Sequence, residues 1–236
     1  FAEARADLPP HRVVGITGTN GKSTTTALVH HILKSAVVPT LMGGNIGLPI
    51  LGETPLAEGG VYVLELSSYQ LDLTQTLDCD VAVLLNITPD HLDRYAGFDA
   101  YAASKARLFA MQAVDHDAVI GIGDAPSAAI ARTLSARGEH LTKISPGVCM
   151  DQSRWPSLQG PHNAQNALAA IAVCKALGLD DSAIDRGLES FTGLPHRMER
   201  VREVAGVAYV DDSKATNPES TAPAIGAFDR VHWIVG

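Results

Sequence analysis

Lysine, serine and threonine stand together at Lys22, Ser23 and Thr24, directly behind the glycines Gly15, Gly18 and Gly21 of VVGITGTNGKST. An apolar run, RVVGIT, leads into this stretch and a helical pattern from Lys22 to Lys34 leads out of it. A strand that turns through glycines into a helix gathers main-chain N–H groups and the positive end of a helix dipole around one point, and that is an arrangement for holding phosphate. Lys22 would neutralise the outer phosphates, while Ser23, with Thr24 as the nearby second choice, would offer a hydroxyl to Mg2+. Gly18, Thr19, Asn20, Gly21, Lys22, Ser23 and Thr24 are therefore the expected contacts of a nucleoside triphosphate. The spacing departs from G-x-x-x-x-G-K-[ST], whose first glycine would fall at Ile16, with Gly15 and Gly18 on either side instead. The competing reading is a plain helix N-terminus with an exposed lysine.

Three further strand ends carry polar groups, and in an open parallel sheet ligands gather at the carboxyl ends of the strands. They are Asn45 in GGNIG, Glu65 with Ser67 and Ser68 in LELSS, and His91 in NITPDHLDRY. A carboxylate that ends a buried strand is costly unless a cation or donors meet it, so Glu65 is a metal-ligand candidate against a salt-bridged structural role. Magnesium prefers oxygen, so on chemistry alone His91, beside Asp90 and Asp93, is equally a residue that orders its loop. His11, His30, His31, His116, His140 and His232 belong to no such constellation.

The elements that must position these residues alternate. RVVGIT, PTLM, VYVLEL, DVAVLLNIT and DAVIGIGD read as strands, and Lys22–Lys34 and about Phe98–Ala113 as helices. DVAVLLNIT is apolar without alternation, as in a parallel strand covered on both faces. In the helix from Phe98, the spacing puts Tyr101, Lys105 and Leu108 on one side. Ser145–Gly160 lacks periodicity and reads as an irregular connection. NAQNALAAIAVCKALG is a strong helix closing at Gly178, and Asp181–Glu189 is a shorter one. The texture changes at FTGLPHRMERV, after which come a hairpin in VAGVAYV, the loop DDSKATNPEST, and an apolar strand at VHWIVG. The expected fold is α/β, a P-loop-type, mostly parallel sheet flanked by helices, followed by the beginning of a second, Rossmann-like α/β domain. The expected boundaries are a linker at 1–10, a central ATP-binding domain at 11–193 and the start of the second domain at 194–236.

The composition fits that class: 46% hydrophobic and 19% charged residues suit an ordered globular chain of 236 residues. A net charge of −8 gives no basic field for a polyanion, so nucleic acid is not an expected partner. Cys79, Cys149 and Cys174 are odd in number and far apart, which reads as reduced, mostly buried thiols in a cytoplasm. No apolar run reaches the roughly 20 residues of a membrane helix, so no membrane partner is expected.

Eight stretches, TGTNGKST, MGGNIGLP, LELSSYQL, NITPDHLDRY, YAASKARLF, GPHNAQNALAA, LPHRMERV and DDSKATNPEST, resemble in order those of the Mur ligases of peptidoglycan synthesis. LELSSYQL with DDSKATN is most similar to the D-glutamate-adding branch. The resemblance implies a cytoplasmic, monomeric enzyme that uses ATP and two Mg2+ ions to join D-glutamate to UDP-N-acetylmuramoyl-L-alanine through an acyl phosphate. It further implies that Glu65 holds the first metal and His91 the second. Lys105 would help there as a carbamylated lysine, the competing reading being a solvated lysine on a helix face. Asn45 and Ser67 would sit at the triphosphate and substrate. Asn163 and Asn166 would face the adenine, with helix N-capping by Asn163 as the alternative. Arg197 would be a phosphate fork and Asp212 would meet the ribose, while Lys214, Thr216 and Asn217 would lie on the substrate side or between domains. By the same resemblance the linker would follow an absent UDP-gripping domain, and the chain would stop early in its last domain. A folylpolyglutamate-synthase-like ligase shares the fold and the glycine variant. A GTPase-like switch is disfavoured, because no guanine-reading N-K-x-D is present and NITPD occupies a comparable strand end.

Overall fold

A computed structural model of the chain describes residues 7–145, 147, 150–215 and 218–235. Strand β1 (His11–Thr17) runs into helix α1 (Lys22–Ser35), followed by β2 (Thr40–Gly44), a single 3-10 turn at Ile50–Gly52 and β3 (Gly60–Glu65). Then come α2 (Ser68–Leu73), β4 (Val81–Leu84), α3 (Phe98–Ala110), β5 (Asp117–Gly121), α4 (Ala125–Arg137) and β6 (His140–Ile144). Helices α5 (Pro161–Ala176) and α6 (Asp181–Ser190) precede the hairpin of β7 (Glu199–Val204) and β8 (Val207–Asp211), and α7 (Pro218–Ile225) follows.

The six strands β1 to β6 form one sheet in the order β2-β3-β1-β4-β5-β6, every neighbouring pair parallel. Every residue of β3 and β4 is buried, because helices cover both faces of the sheet. Successive strand residues therefore feed opposite cores. Val14, Ile16, Val63 and Val83 pack with Leu28 and Ile32 of α1, Ala170 and Val173 of α5 and Leu188 of α6. Val13, Leu64, Ala82 and Leu84 pack with Leu71 of α2, Tyr101, Leu108 and Phe109 of α3 and Leu134 of α4. Each such large apolar side chain contributes on the order of 1.5–3 kcal/mol relative to exposure. Helix α6 comes close to α1 because Gly187 has no side chain: a Cβ there would stand 2.7 Å from Ile32 Cγ1.

Three local expectations are corrected. Helix α4 and strand β6 stand where the sequence pattern showed no element. Of α4 only Ser127, Ala131 and Leu134 are buried, and β6 is an edge strand with one buried residue, so neither carries a strong apolar period. Helix α7 forms within the stretch read as a loop. VHWIVG forms no strand over 231–235, where Trp233 is 59% and Ile234 96% exposed. A strand is stable only beside a partner, and none of the described strands lies next to it. Cys79 and Cys174 are buried. Cys149, Thr216, Asn217 and residues 1–6 lie outside the described residues.

Candidate active site

Strand β1 has β3 on one side and β4 on the other, which places the reversal of strand order, and with it the ligand crevice, at the carboxyl end of β1. The loop 18–21 emerges there. Gly21 (φ 86°) turns the chain into α1, and a Cβ there would fall 2.3 Å from Asn166 Oδ1. The main chain is clamped from β4: Thr19 N donates to Asn86 O at 2.9 Å and Asn20 N to Asn86 Oδ1 at 2.8 Å. Lys22 folds back over the loop, its Nζ donating to Gly18 O at 3.0 Å and to Thr19 O at 2.8 Å. Burial lowers its pKa, opposed by the charges of Glu65 and Asp90. This is not an exposed lysine at a bare helix end.

Lys105 of α3 reaches the same carbonyl, Nζ donating to Gly18 O at 2.8 Å and lying 4.7 Å from the centre of the Tyr101 ring. It is 1% exposed, so the solvated-lysine alternative is removed. Burial, and then the neighbouring Lys22, bring its pKa down to about 7, so a large share of this amine is neutral near physiological pH. Tyr101 is fixed by Thr19, whose Oγ1 lies 3.1 Å from the phenol oxygen, and burial pushes the phenol up to about 12. His91 stands at the mouth of this group. Its backbone is left-handed (φ 51°), its ring packs 5.1 Å from Tyr69 and 6.4 Å from Tyr101, and Asp90 Oδ2 lies 3.7 Å from Nε2.

At the end of β3, Glu65 is 2% exposed and makes no close ion pair among the described residues, although its charge acts on Lys22. Oε1 accepts from Asn45 Nδ2 at 2.9 Å, while Oε2 is buried with no hydrogen-bond partner among the described residues. Gly44 (φ 94°) permits the approach of the Asn45 loop, since a Cβ there would stand 2.2 Å from Glu65 O. Ser67 caps α2, accepting from Gln70 N at 3.2 Å in a reciprocal capping box.

Beyond the loop an open cleft, about 770 Å³ including its mouth, runs between α1, α5 and the segment leading to α7. Asn20, Gly21, Thr24, Asn163, Asn166, Arg197 and Asp212 all line it. Asn166 Nδ2 donates to Asn163 Oδ1 at 3.2 Å, Thr25 Oγ1 donates to Asn166 Oδ1 at 3.3 Å, and Asn163 Nδ2 donates to Gln159 O at 3.1 Å. The cap position of α5 is Gly160, so Asn163 is not its N-cap. Arg197 Nη2 donates to Ser23 Oγ at 3.0 Å, tying the late segment to the phosphate loop. Asp212 Oδ1 accepts from Met198 N at 3.0 Å, and burial raises its pKa.

A family profile described as the Mur ligase middle domain matches residues 16–154. The chain belongs to the Mur ligase family. A relative from Novosphingobium aromaticivorans, "UDP-N-acetylmuramoylalanine--D-glutamate ligase", is 64% identical over 238 residues, an alignment covering 100% of this chain and 54% of that protein. The chain thus spans about half the length of the curated relatives it matches. Among solved structures, MurF from Acinetobacter baumannii superposes with a TM-score of 0.78 at 25% identity, over 96% of this chain and 56% of the other. The MurF ligase of Thermotoga maritima in complex with ADP superposes with a TM-score of 0.75 at 22% identity, over 96% and 58%, and shows the shared fold.

Within this Mur ligase chain the structure brings Lys22, Lys105, Gly18 and Thr19 together on one side of the loop and Ser23, Arg197, Asn163, Asn166 and Asp212 on the other. Lys214 is exposed and does not line the cleft; its N–H donates to His196 O at 3.1 Å. Sequence reasoning missed Asn86 as the clamp, Tyr101 as the support of Thr19, and Asp124. Asp124 caps α4 through Ser127 N at 2.8 Å and also accepts from Ile87 N at 3.0 Å. Asn86 was visible only as the end of an apolar strand, which is a weak signal for a loop clamp.

Proposed function

We propose that this chain is the ATP-binding core of a ligase that joins D-glutamate to UDP-N-acetylmuramoyl-L-alanine. The observation that carries it is the pairing of a glycine loop faced by Lys22 and the buried Lys105 with a buried carboxylate, Glu65, whose second oxygen no group among the described residues satisfies. The substrate assignment rests on the printed name of the 64% identical relative.

In this reading the substrate carboxylate attacks the γ-phosphorus of ATP, the bond to the ADP oxygen breaks, and the amine of D-glutamate then displaces phosphate to form the amide. No enzyme nucleophile is required, and catalysis is positioning and charge neutralisation. The loop amides of 18–24 and Lys22 hold the phosphates, and Arg197 forms a phosphate fork. Asn163 and Asn166 face the adenine, and Asp212 meets the ribose. Asn45 holds Glu65 in register, and Lys214 would serve the substrate from outside the cleft. Ser23 and Glu65 are oxygen donors that fit Mg2+, and His91 and Lys105 would complete a second site, Lys105 as a carbamate formed from its neutral amine and carbon dioxide. Bound magnesium would supply neutralisation of charge on the transferring phosphoryl group. We assign residues 194–236 to the start of a further domain and a monomeric, cytoplasmic setting to the enzyme, with which the buried cysteines Cys79 and Cys174 and the charge of −8 agree. No described helix is long and apolar enough to cross a membrane.

The test is ADP release by the intact protein with UDP-N-acetylmuramoyl-L-alanine, run with D-glutamate, with other amino acids, and with a folate in place of the nucleotide sugar. Release dependent on D-glutamate is expected, and release with the folate alone would move the assignment to the folylpolyglutamate-type ligases.

A further inference from the structure

Arg197 reaches the phosphate loop from a turn that is tied down at several points. The residues on either side of it, His196 (φ 62°) and Met198 (φ 49°), both have left-handed backbones. Without glycine that conformation costs free energy and persists only where surrounding bonds impose it. Such bonds are present. His196 N donates to Glu199 Oε2 at 2.7 Å, its Nδ1 faces Asp211 Oδ2 at 2.7 Å, and its O accepts from Lys214 N at 3.1 Å. The hydrogen bond from His196 brings the Asp211 carboxyl down to about 2; a carboxylate only accepts, so Nδ1 carries the proton and donates it. Asp211 is itself fixed, Oδ1 accepting from Ser213 N at 2.9 Å, and Met198 N donates to Asp212 Oδ1 at 3.0 Å. The His196 side chain is 55% exposed, where a charged contact is worth little as stability.

We propose that His196 is a positioning residue: clasped by Asp211 and Glu199, it fixes the turn from which Arg197 meets the phosphates of the bound nucleotide. The proposal rests on the ATP-binding reading above. Arg197 lines the cleft together with Met198 and Asp212, whereas His196, Glu199 and Asp211 do not. The histidine therefore acts through its neighbour and not on the ligand. Glu199 Oε2 and Asp211 Oδ2 are engaged with His196, and the Arg197 guanidinium bonds the neutral Ser23 Oγ at 3.0 Å with no ion pair among the described residues. Its charge is thus left for an anion. An arginine that must be ordered when its ligand arrives forfeits part of its binding energy, and one whose backbone is already anchored forfeits less.

The experiment is a double-mutant cycle read by calorimetric titration of the intact protein with ATP, using His196→Ala, Arg197→Ala and the two combined. His196→Ala should weaken ATP binding about fivefold and Arg197→Ala at least as much, while the double variant should bind no more weakly than Arg197→Ala alone. His196→Asn, which keeps a donor and tolerates a left-handed backbone, should recover most of the loss. Asp211→Ala removes the acceptor without altering the left-handed residue, so it should weaken binding by a similar factor, and it keeps the test decisive should His196→Ala not fold. Wild-type ATP affinity in His196→Ala, in Asp211→Ala or in Arg197→Ala overturns the positioning role. So does a double variant weakened by the full product of the two single effects, which would mean that His196 acts independently of Arg197. Failure of the wild type to bind ATP at all overturns instead the nucleotide reading on which the role stands.

Discussion

Lys22 and Lys105 direct their Nζ atoms at the single carbonyl of Gly18, and neither makes an ion pair among the described residues. Such a pair is a poor device for stability and a good one for meeting an anion. Lys22→Ala should weaken ATP binding by about 100-fold, the value of two lost charge-assisted hydrogen bonds, while moving the melting temperature by no more than about 3 °C. Calorimetry and thermal unfolding check the two halves. Lys105 carries a pH signature. Its folded pKa is lowered to about 7, below the usual lysine value near 10.4. Between these values the unfolded chain binds the extra proton, so stability rises with pH across that window and the cost of the buried charge is complete below it. Lys105→Met should make the rise in urea midpoint from pH 7 to 9.5 shallower, leaving the smaller contribution of Lys22. Lys22, Glu65 and Asn45 were legible from sequence because each ends or follows a strong apolar strand. Asn86 was not, since what it does depends on which remote chain segment lies opposite it.

The central strands and the helices α1, α3 and α5 were readable from sequence because their apolar residues feed cores on both sheet faces, leaving an unbroken or strongly periodic pattern. The α4–β6 unit was not, because it sits at the sheet edge and buries little. One carboxylate adds to the β5–β6 ladder and the packing of Leu134 in holding it. Asp124 accepts from Ser127 N, Ser127 Oγ and Ile87 N, joining the start of α4 to the chain leaving β4. Asp124→Ala should cost about 2 kcal/mol in urea denaturation, combining a lost N-cap with a stranded amide, and Asp124→Asn should recover part of it. The final apolar stretch shows the opposite error: hydrophobic content was read as a strand, while a strand also needs an edge to pair with.

Across the whole molecule, ligand and fold are thermodynamically linked, since a ligand that binds only the native state adds to its stability by mass action. ATP at about 100 times its Kd should add roughly 2.7 kcal/mol. Magnesium with ATP should raise the melting temperature above ATP alone in the wild type. Glu65→Gln should keep the ATP increment and lose the magnesium increment, as seen in scans with and without a chelator. The clamp of the glycine loop by Asn86 also has a kinetic side. Asn20 N and Asn86 Oδ1 are 66 residues apart in the chain, and β1 pairs only with β3 and β4, never with the strand that follows it. Contacts of such long sequence separation form slowly, because loop-closure entropy precedes any reward from pairing. During refolding, helical circular dichroism should therefore recover first, and capture of a fluorescent ATP analogue should lag behind it. The nucleotide would then serve as a clock for the moment when β4 docks beside β1.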